Sequence, residues 1–289
     1  MATLSDIKRR IASVKNTSQI TKAMKLVAAA KMRRAQENVL ASRPYSEKLL
    51  EVLGSLSVRS EESAHPLLAK REEKNILILL CSSDKGLCGA FNANLFRAAT
   101  NLIHESEGKG IFLSIVGKKG RDFFKHRNVM ILNSYVDYTR NLNYPFAADI
   151  GKDMVEAFSQ EKVDRIYIVF NHFKSVIRQE MVVRSLLPIV PADSEEGEDP
   201  SKIIDYLYEP SAHAILSDIL IKYINIQIYH ALLESWASEN GARMAAMDNA
   251  TRNARDMINS LTQTYNRARQ SAITTELIEI VSGADALKA

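Results

Sequence analysis

A chain of 289 residues with 46% hydrophobic content can bury one large core or two smaller ones, which excludes a disordered protein. Charged residues make up 25% and the formal net charge is only +4, so the balance argues against wholesale nucleic-acid binding and against an acidic-tail protein. The two cysteines, Cys81 and Cys88, supply neither a disulfide framework nor a metal-ligand spacing, and a reducing compartment is the simpler reading.

The N-terminus, Met1 to Arg10, is charged and polar and lacks the apolar core of a signal peptide. No later run approaches the roughly 20 apolar residues of a membrane span, so any membrane connection is expected to pass through partners. Charge is unevenly spread: up to Ser60 the basic residues far outnumber Asp6, Glu37, Glu47 and Glu51, whereas Asp193 to Asp199 is acidic.

The first segment, Thr3 to about Leu56, has no glycine before Gly54 and is dense in Ala, Lys, Arg, Met and Leu, which predicts a long helix. Thr3 and Asp6 stand at capping-box spacing, with Ser5 a second cap candidate. Ile7, Ile11 and Val14 begin an apolar stripe at alternating four- and three-residue steps. Pro44 is expected to kink or interrupt this helix, the stripe resuming at Leu49, Leu50 and Leu53.

Strand-like runs follow at Asn75 to Cys81, Ile111 to Val116, Val129 to Leu132, Arg165 to Phe170 and Met181 to Val190, separated in part by helical patterns near Asn92 to His104, Lys119 to His126 and Phe146 to Gln160. That alternation predicts an α/β domain of about 120 residues with a largely parallel sheet. Pro191 to Pro200 reads as a surface loop or link.

After Pro210 there is no proline, and the only glycines are Gly241 and Gly283, which permits one helix of roughly 70 residues. Steps of three and four from Leu216 run through Ile219, Tyr223, Ile226, His230, Leu233, Ala237, Asn240, Met244, Met247, Thr251, Ala254, Ile258, Leu261, Tyr265, Ala268 and Ala272, with only His230, Asn240 and Thr251 breaking the apolar seam. So long a heptad seam predicts a coiled coil, and the N-terminal helix is the available partner, wound antiparallel. The expected boundaries are 1–57 for the first coil helix, 74–191 for the α/β domain, 192–209 for a linker and 210–286 for the second coil helix.

No motif carries chemistry. Asp84-Lys85-Gly86-Leu87-Cys88-Gly89 lies between a strand and a helix, where a phosphate loop would sit, but neither it nor Gly117 to Gly120 has the nucleotide-binding spacing. A tight strand-to-helix turn is the plainer reading. The histidines show no chelating pair, His230 on the seam reading as a packed or register-setting residue. Ser82 and Ser83 lack a nucleophile-elbow context, and Cys88 lacks an evident base. Catalytic, cofactor-binding and metal residues are therefore all expected to be none. Lys8, Arg9, Arg10, Lys15, Lys22, Lys25, Lys31, Arg33 and Arg34 make a basic rod with no aromatic before Tyr45, which suits a solvated face or an acidic collar better than base stacking. Met24, Met32, Met244 and Met247 are core fillers by type, though a Met surface can also slide past several partners.

Ile11-Ala-Ser-Val-Lys-Asn-Thr-Ser-Gln-Ile-Thr-Lys-Ala-Met24 and Val27-Ala-Ala-Ala-Lys-Met-Arg33 at the front, with Asn266-Arg-Ala-Arg-Gln270 and Ile273-Thr-Thr-Glu-Leu-Ile-Glu-Ile-Val-Ser-Gly-Ala284 at the back, resemble the F-type ATP synthase gamma subunit. Ser83 to Gly89 and Tyr206-Leu-Tyr-Glu-Pro210 are similar to the same family, and the resemblance spans essentially the whole chain. It implies a long antiparallel coiled coil with an inserted Rossmann-like α/β domain, present at one copy per complex. The coil would stand inside a hexamer of alpha and beta subunits, and the α/β domain on the membrane c-ring beside the epsilon subunit, with no nucleic acid and no cofactor. Arg269 and Gln270 are then expected at the catch loops of the hexamer and Met24 and Lys25 at an acidic lever on the beta subunits. Tyr206, Tyr208 and Glu209 are expected at the ring and epsilon, or else form an ordinary packed turn closed by Pro210.

The implied role is a non-catalytic rotor shaft, on the cytoplasmic side of a bacterial inner membrane, coupling proton-driven rotation to ATP synthesis. With no chloroplast-type regulatory cysteine segment, thiol control is not expected. A coiled-coil tether with a folded head and a nucleotide-dependent α/β enzyme remain the competing readings. The first has no reason to match the terminal signature, and the second requires tight ATP binding by the isolated chain.

Overall fold

The computed structural model describes residues 3–57, 65–176, 178–189 and 212–286. Helix α1 spans Leu4–Ser57 and helix α5 spans Ala212–Ala286. Between them lie β1 (Asn75–Cys81), α2 (Phe91–Glu105), β2 (Gly110–Val116), α3 (Lys118–Phe124), β3 (Met130–Tyr135), α4 (Tyr144–Ser159), β4 (Arg165–Phe173) and β5 (Gln179–Leu187). The helix–sheet–helix architecture read from the sequence is the one observed. The expected link at 192–209 and the loop at Pro191 to Pro200 lie outside the described residues.

The start of α1 is closed by the capping box that its sequence announces. The Asp6 amide donates to Thr3 Oγ1 at 3.2 Å, and the Thr3 amide donates back to Asp6 Oδ2 at 3.2 Å. The Thr3 hydroxyl also donates to Asp6 Oδ2 at 2.8 Å, and this bond first, then the one from the Thr3 amide, holds the Asp6 carboxyl below its ordinary value. Of the two outcomes expected at Pro44, a kink or an interruption, the interruption does not occur, because α1 continues through it. Proline removes one donor of the helical ladder, but Leu40, whose carbonyl loses its partner, and Pro44 itself are on the exposed side, where water can replace the lost bond.

The sheet order is β3-β2-β1-β4-β5. β1 pairs in parallel with β2 and β4, β2 pairs in parallel with β3, and β5 runs antiparallel to β4 at one edge. Period-two alternation in β1 sends Ile76, Ile78 and Leu80 to one face, against Leu95, Phe96 and Ala99 of α2 and Phe124 of α3. Leu77, Leu79 and Cys81 go to the other, against Ala147, Ile150, Met154 and Phe158 of α4 and Leu216, Leu220, Ile224 and Ile228 of α5. Both faces of the central strands are therefore buried, as a parallel sheet requires, and each such aliphatic side chain contributes about 1.5–3 kcal/mol.

The chain divides into two compact units, Met1–Ala28 with Met244–Ala289, and Ala29–Arg243. In the smaller unit α1 and α5 pair side by side. Thr21 Oγ1 and Thr251 Oγ1 share a hydrogen bond of 2.7 Å, and Lys25 Nζ meets Asp248 Oδ1 at 2.5 Å. Ascending numbers on one helix thus meet descending numbers on the other, so the pair is antiparallel. Between Thr251 and Ala272 every position that is not fully exposed, namely Thr251, Ala254, Ile258, Leu261, Tyr265, Ala268 and Ala272, belongs to the seam read from the sequence. In the larger unit α5 is covered on more sides: from Ala231 to Gly241 only Glu234 is less than buried.

Candidate functional site

Two regions are built to do something, an exposed coil surface in the smaller unit and the carboxyl edge of the sheet in the larger one. On the coil, the basic side chains Lys8, Arg9, Arg10, Lys15 and Lys22 of α1 are exposed, and among the described residues none forms an ion pair. Lys25 is different. It is half-buried and bound to Asp248, and its ammonium holds the Asp248 carboxyl below the ordinary range. Met24 beside it is half-buried.

Arg269 and Gln270 follow the seam residue Ala268 and are exposed, and among the described residues neither side chain makes a hydrogen bond or ion pair. The 21 residues from Asp248 to Arg269 set these two candidate contacts about 30 Å apart along α5 at ~1.5 Å per residue. The four expected hexamer contacts are therefore two separate pairs. Tyr206, Tyr208 and Glu209 lie outside the described residues.

A further feature of the coil escaped the sequence reading. Ile273, Leu277, Ile280 and Val281, spaced as one helical face, are 47%, 57%, 68% and 59% exposed, with Ile278 beside them at 59%. Exposed apolar side chains in such a row mark a surface made to be covered. The signal was present in the spacing of Ile273 to Val281, but this stretch drew notice only as a signature.

In the larger unit, the strand order reverses between β1 and β4, and in doubly wound sheets the crevice outside the carboxyl ends of such strands is where ligands bind. Here α5 occupies it. Ser235 Oγ donates to the Cys81 carbonyl that ends β1, at 2.9 Å, and Ser238 Oγ donates to the Asn171 carbonyl of β4, at 3.0 Å. Glu234 Oε2 accepts from the Phe173 amide at 2.9 Å. Glu239 is 3% exposed; burial pushes its carboxyl up, while Arg243 pulls it back.

The turn from Asp84 to Gly89, which stands where a phosphate loop would, is likewise closed from within. Asp84 Oδ1 accepts from the amides of Lys118 and Asp137, both at 3.0 Å, and Arg243 binds the carbonyls of Lys85 and Gly86. Cys88 is buried, with its thiol pushed up first by burial and then by the Glu239 charge, the reverse of what a nucleophile needs. Among the described residues no three His, Cys, Asp or Glu side chains converge as a metal site would require. His230, suspected of a packing role, meets Ser42 Oγ through Nε2 at 2.8 Å in the larger unit. No helix among the described residues is long and apolar enough to cross a membrane.

A family model described as ATP synthase matches residues 3–287. The ATP synthase gamma chain of Geobacter metallireducens is 50% identical over 290 residues, covering all of both chains. That of Pelotomaculum thermopropionicum is 48% identical over 288 residues, again at full coverage. Among solved structures, a chain of the central stalk and c-ring of Tetrahymena thermophila mitochondrial ATP synthase is 27% identical with a TM-score of 0.60, over 80% of this chain and 99% of that one. A chain of the Euglena gracilis mitochondrial ATP synthase is similar in fold, with a TM-score of 0.71 at 22% identity, over 98% of this chain and 94% of that one. With its coil seam, inserted parallel sheet and both terminal segments matched from end to end, the chain belongs to the ATP synthase gamma-chain family.

Proposed function

We propose that the chain is the central rotor shaft of a proton-translocating F-type ATP synthase, coupling ring rotation to ATP synthesis at the beta-subunit catalytic sites and influencing ATPase activity and proton flow. It is a non-catalytic subunit. The observation that carries this reading is identity at 50% with a gamma chain over the full length of both. The filled crevice at the β1–β4 switch point supports it, because the place where an α/β enzyme would hold its ligand contains α5 instead.

The mechanism follows from asymmetry. A shaft that touches three otherwise equivalent sites differently biases each toward a different nucleotide affinity, and rotation passes those states around. The exposed basic face of α1 suits an acidic collar. Exposed ion pairs contribute only about 0.2–1 kcal/mol each, so many weak contacts hold the shaft without locking it. In this reading residues 1–57 and 210–286 form the shaft, 74–191 the head and 192–209 a link. Arg269 and Gln270 reach the catch loops of the alpha–beta hexamer, and the apolar row from Ile273 to Val281 is covered by its collar. Met24 and Lys25 pass the lever of the beta subunits, Lys25 doing so while tied to Asp248. Tyr206, Tyr208 and Glu209 lie at the c-ring and the epsilon subunit. One copy serves each complex, on the cytoplasmic side of the bacterial inner membrane.

The test is ATP hydrolysis by purified alpha and beta subunits with and without this chain, with gel filtration to follow assembly. One copy joining each hexamer and raising turnover, with no hydrolysis by the chain alone, is the expected result. A chain that stays apart, or that hydrolyses ATP unaided, removes the shaft reading. Arg269→Ala combined with Gln270→Ala is expected to lower turnover of the assembled complex; unchanged turnover with intact assembly takes both residues off the contact surface.

A further inference from the structure

Much of the grip between α5 and the sheet in the larger unit is apolar, through Leu216, Leu220, Ile224, Ile228 and Leu232. Apolar burial resists separation but is non-directional, so by itself it does little to stop a helix from turning about or sliding along its axis. Directional bonds must do that. Besides a bond from Arg184 of β5 to Gln227, they lie at the carboxyl ends of β1 and β4, through Ser235, Ser238 and Glu234, and on the turn after β1 several of them gather in a single guanidinium. Arg243 Nε donates to the Gly86 carbonyl at 3.3 Å, and Nη2 donates to the carbonyls of Lys85 and Gly86, each at 3.2 Å. Nη2 also meets Glu239 Oε1 at 2.6 Å, while Nη1 donates to Asn240 Oδ1 at 3.3 Å. The side chains of Arg243 and Glu239 are 11% and 3% exposed. Nη2 alone is within reach of both carbonyls and the carboxylate, while Nε and Nη1 add the bonds to Gly86 and Asn240 that a lysine ammonium, with one nitrogen, cannot make at the same time.

We propose that Arg243 is a positioning residue for rotary coupling: it clamps the turn from Asp84 to Gly89 onto α5, so that sheet and shaft helix rotate as one piece. Glu239 holds the guanidinium in place from one helical turn earlier. The proposal rests on the rotor reading, since coupling is what the clamp serves.

Arg243→Ala, Arg243→Gln and Arg243→Lys test it through two readouts. The first is maleimide labelling of the full chain at Cys88, which is 3% exposed within the clamped turn, with Cys81 at 1% as an internal control that stays closed while the sheet is folded. Loss of the charge-assisted bonds is expected to raise Cys88 labelling about tenfold in Arg243→Ala and Arg243→Gln, with Arg243→Lys between them and the parent. If Cys81 opens as well in the truncated variants, Arg243→Lys, which keeps the charge and most of the stem, carries the test. The second readout is ATP-driven proton pumping per ATP hydrolysed by the assembled complex in proteoliposomes, at equal complex content. It is expected to fall in the same order as Cys88 labelling rises.

Unchanged Cys88 labelling overturns the clamp. Raised labelling with parental pumping per ATP overturns the positioning role and leaves the rotor reading intact. A parent chain that never joins the complex removes the rotor reading and the coupling role together, while Cys88 labelling still reports the clamp.

Discussion

Gly151 lies in the middle of α4, where glycine costs about 1 kcal/mol relative to alanine, so on helix propensity alone Gly151→Ala stabilises the protein. Its surroundings reverse the sign. A Cβ there would come 1.9 Å from Asn225 Oδ1 and 3.1 Å from its Cγ, on the face of α5 that α4 packs against. Asn225 is 7% exposed, so its amide has little room to retreat, and overpacking of this kind costs about 1–3 kcal/mol. The net expectation is a loss of about 1 kcal/mol, up to ~2 kcal/mol. Asn225→Ala removes both clashing atoms and leaves only its Cα, at an ordinary 3.7 Å. In that background Gly151→Ala should stabilise by up to about 1 kcal/mol, an interaction energy on the order of 2 kcal/mol. Urea unfolding followed by Trp236 measures all four corners of the cycle, because the chain has one tryptophan and it is buried in the same unit. Gly151→Ala raising stability in the parent, or changing it equally in both backgrounds, refutes the reasoning.

Gly117 has φ +98°, and a Cβ on it would stand 2.3 Å from the Ser82 carbonyl oxygen, so Gly117→Ala is expected to cost about 2–4 kcal/mol in the same urea assay. The Glu73 carboxyl is held below its ordinary value first by its hydrogen bond to Lys109 and then by that to Arg165. Its folded value being depressed, the stability it contributes is present above the unfolded-state pKa of about 4.3 and is lost as pH falls through the folded value. Glu73→Gln should therefore flatten the fall in stability between about pH 5 and 3, and an unaltered acid limb would show that the group contributes nothing there. Asp248→Asn breaks the half-buried pair with Lys25, so its melting midpoint by circular dichroism should fall below the parent's at low salt and converge with it near 1 M salt, where screening acts within about 3 Å. A gap independent of salt would mean that packing, not charge, is what the substitution disturbs.

Periodicity made most of the architecture legible. β1 runs from Asn75 to Cys81 as its apolar run suggested, and the three-four steps from Leu216 to Ala272 trace residues that are each buried or half-buried. Both are local patterns, set by a repeat of two or of three and a half against one apolar surface. Pro44 does not interrupt α1 because a breaker acts locally, whereas a helix packed along its length tolerates one missing bond on its wet side.

The candidate site divides along the same line. Arg269 and Gln270 could be placed beside the seam from numbering alone, since a helix face follows from spacing. That Lys25 is already spoken for could not, because its partner Asp248 is 223 residues away. Nor could the filling of the sheet crevice: Ser235, Ser238, Glu239 and Arg243 are unremarkable residues of a long helix until β1 and β4 are brought under them. The elements, the seam and the family are legible in the residue order because they depend on repeats and motifs carried within single segments. Which polar groups meet across segments emerges with folding, because a hydrogen bond or an ion pair depends on distances of a few ångströms between residues that the chain order keeps far apart.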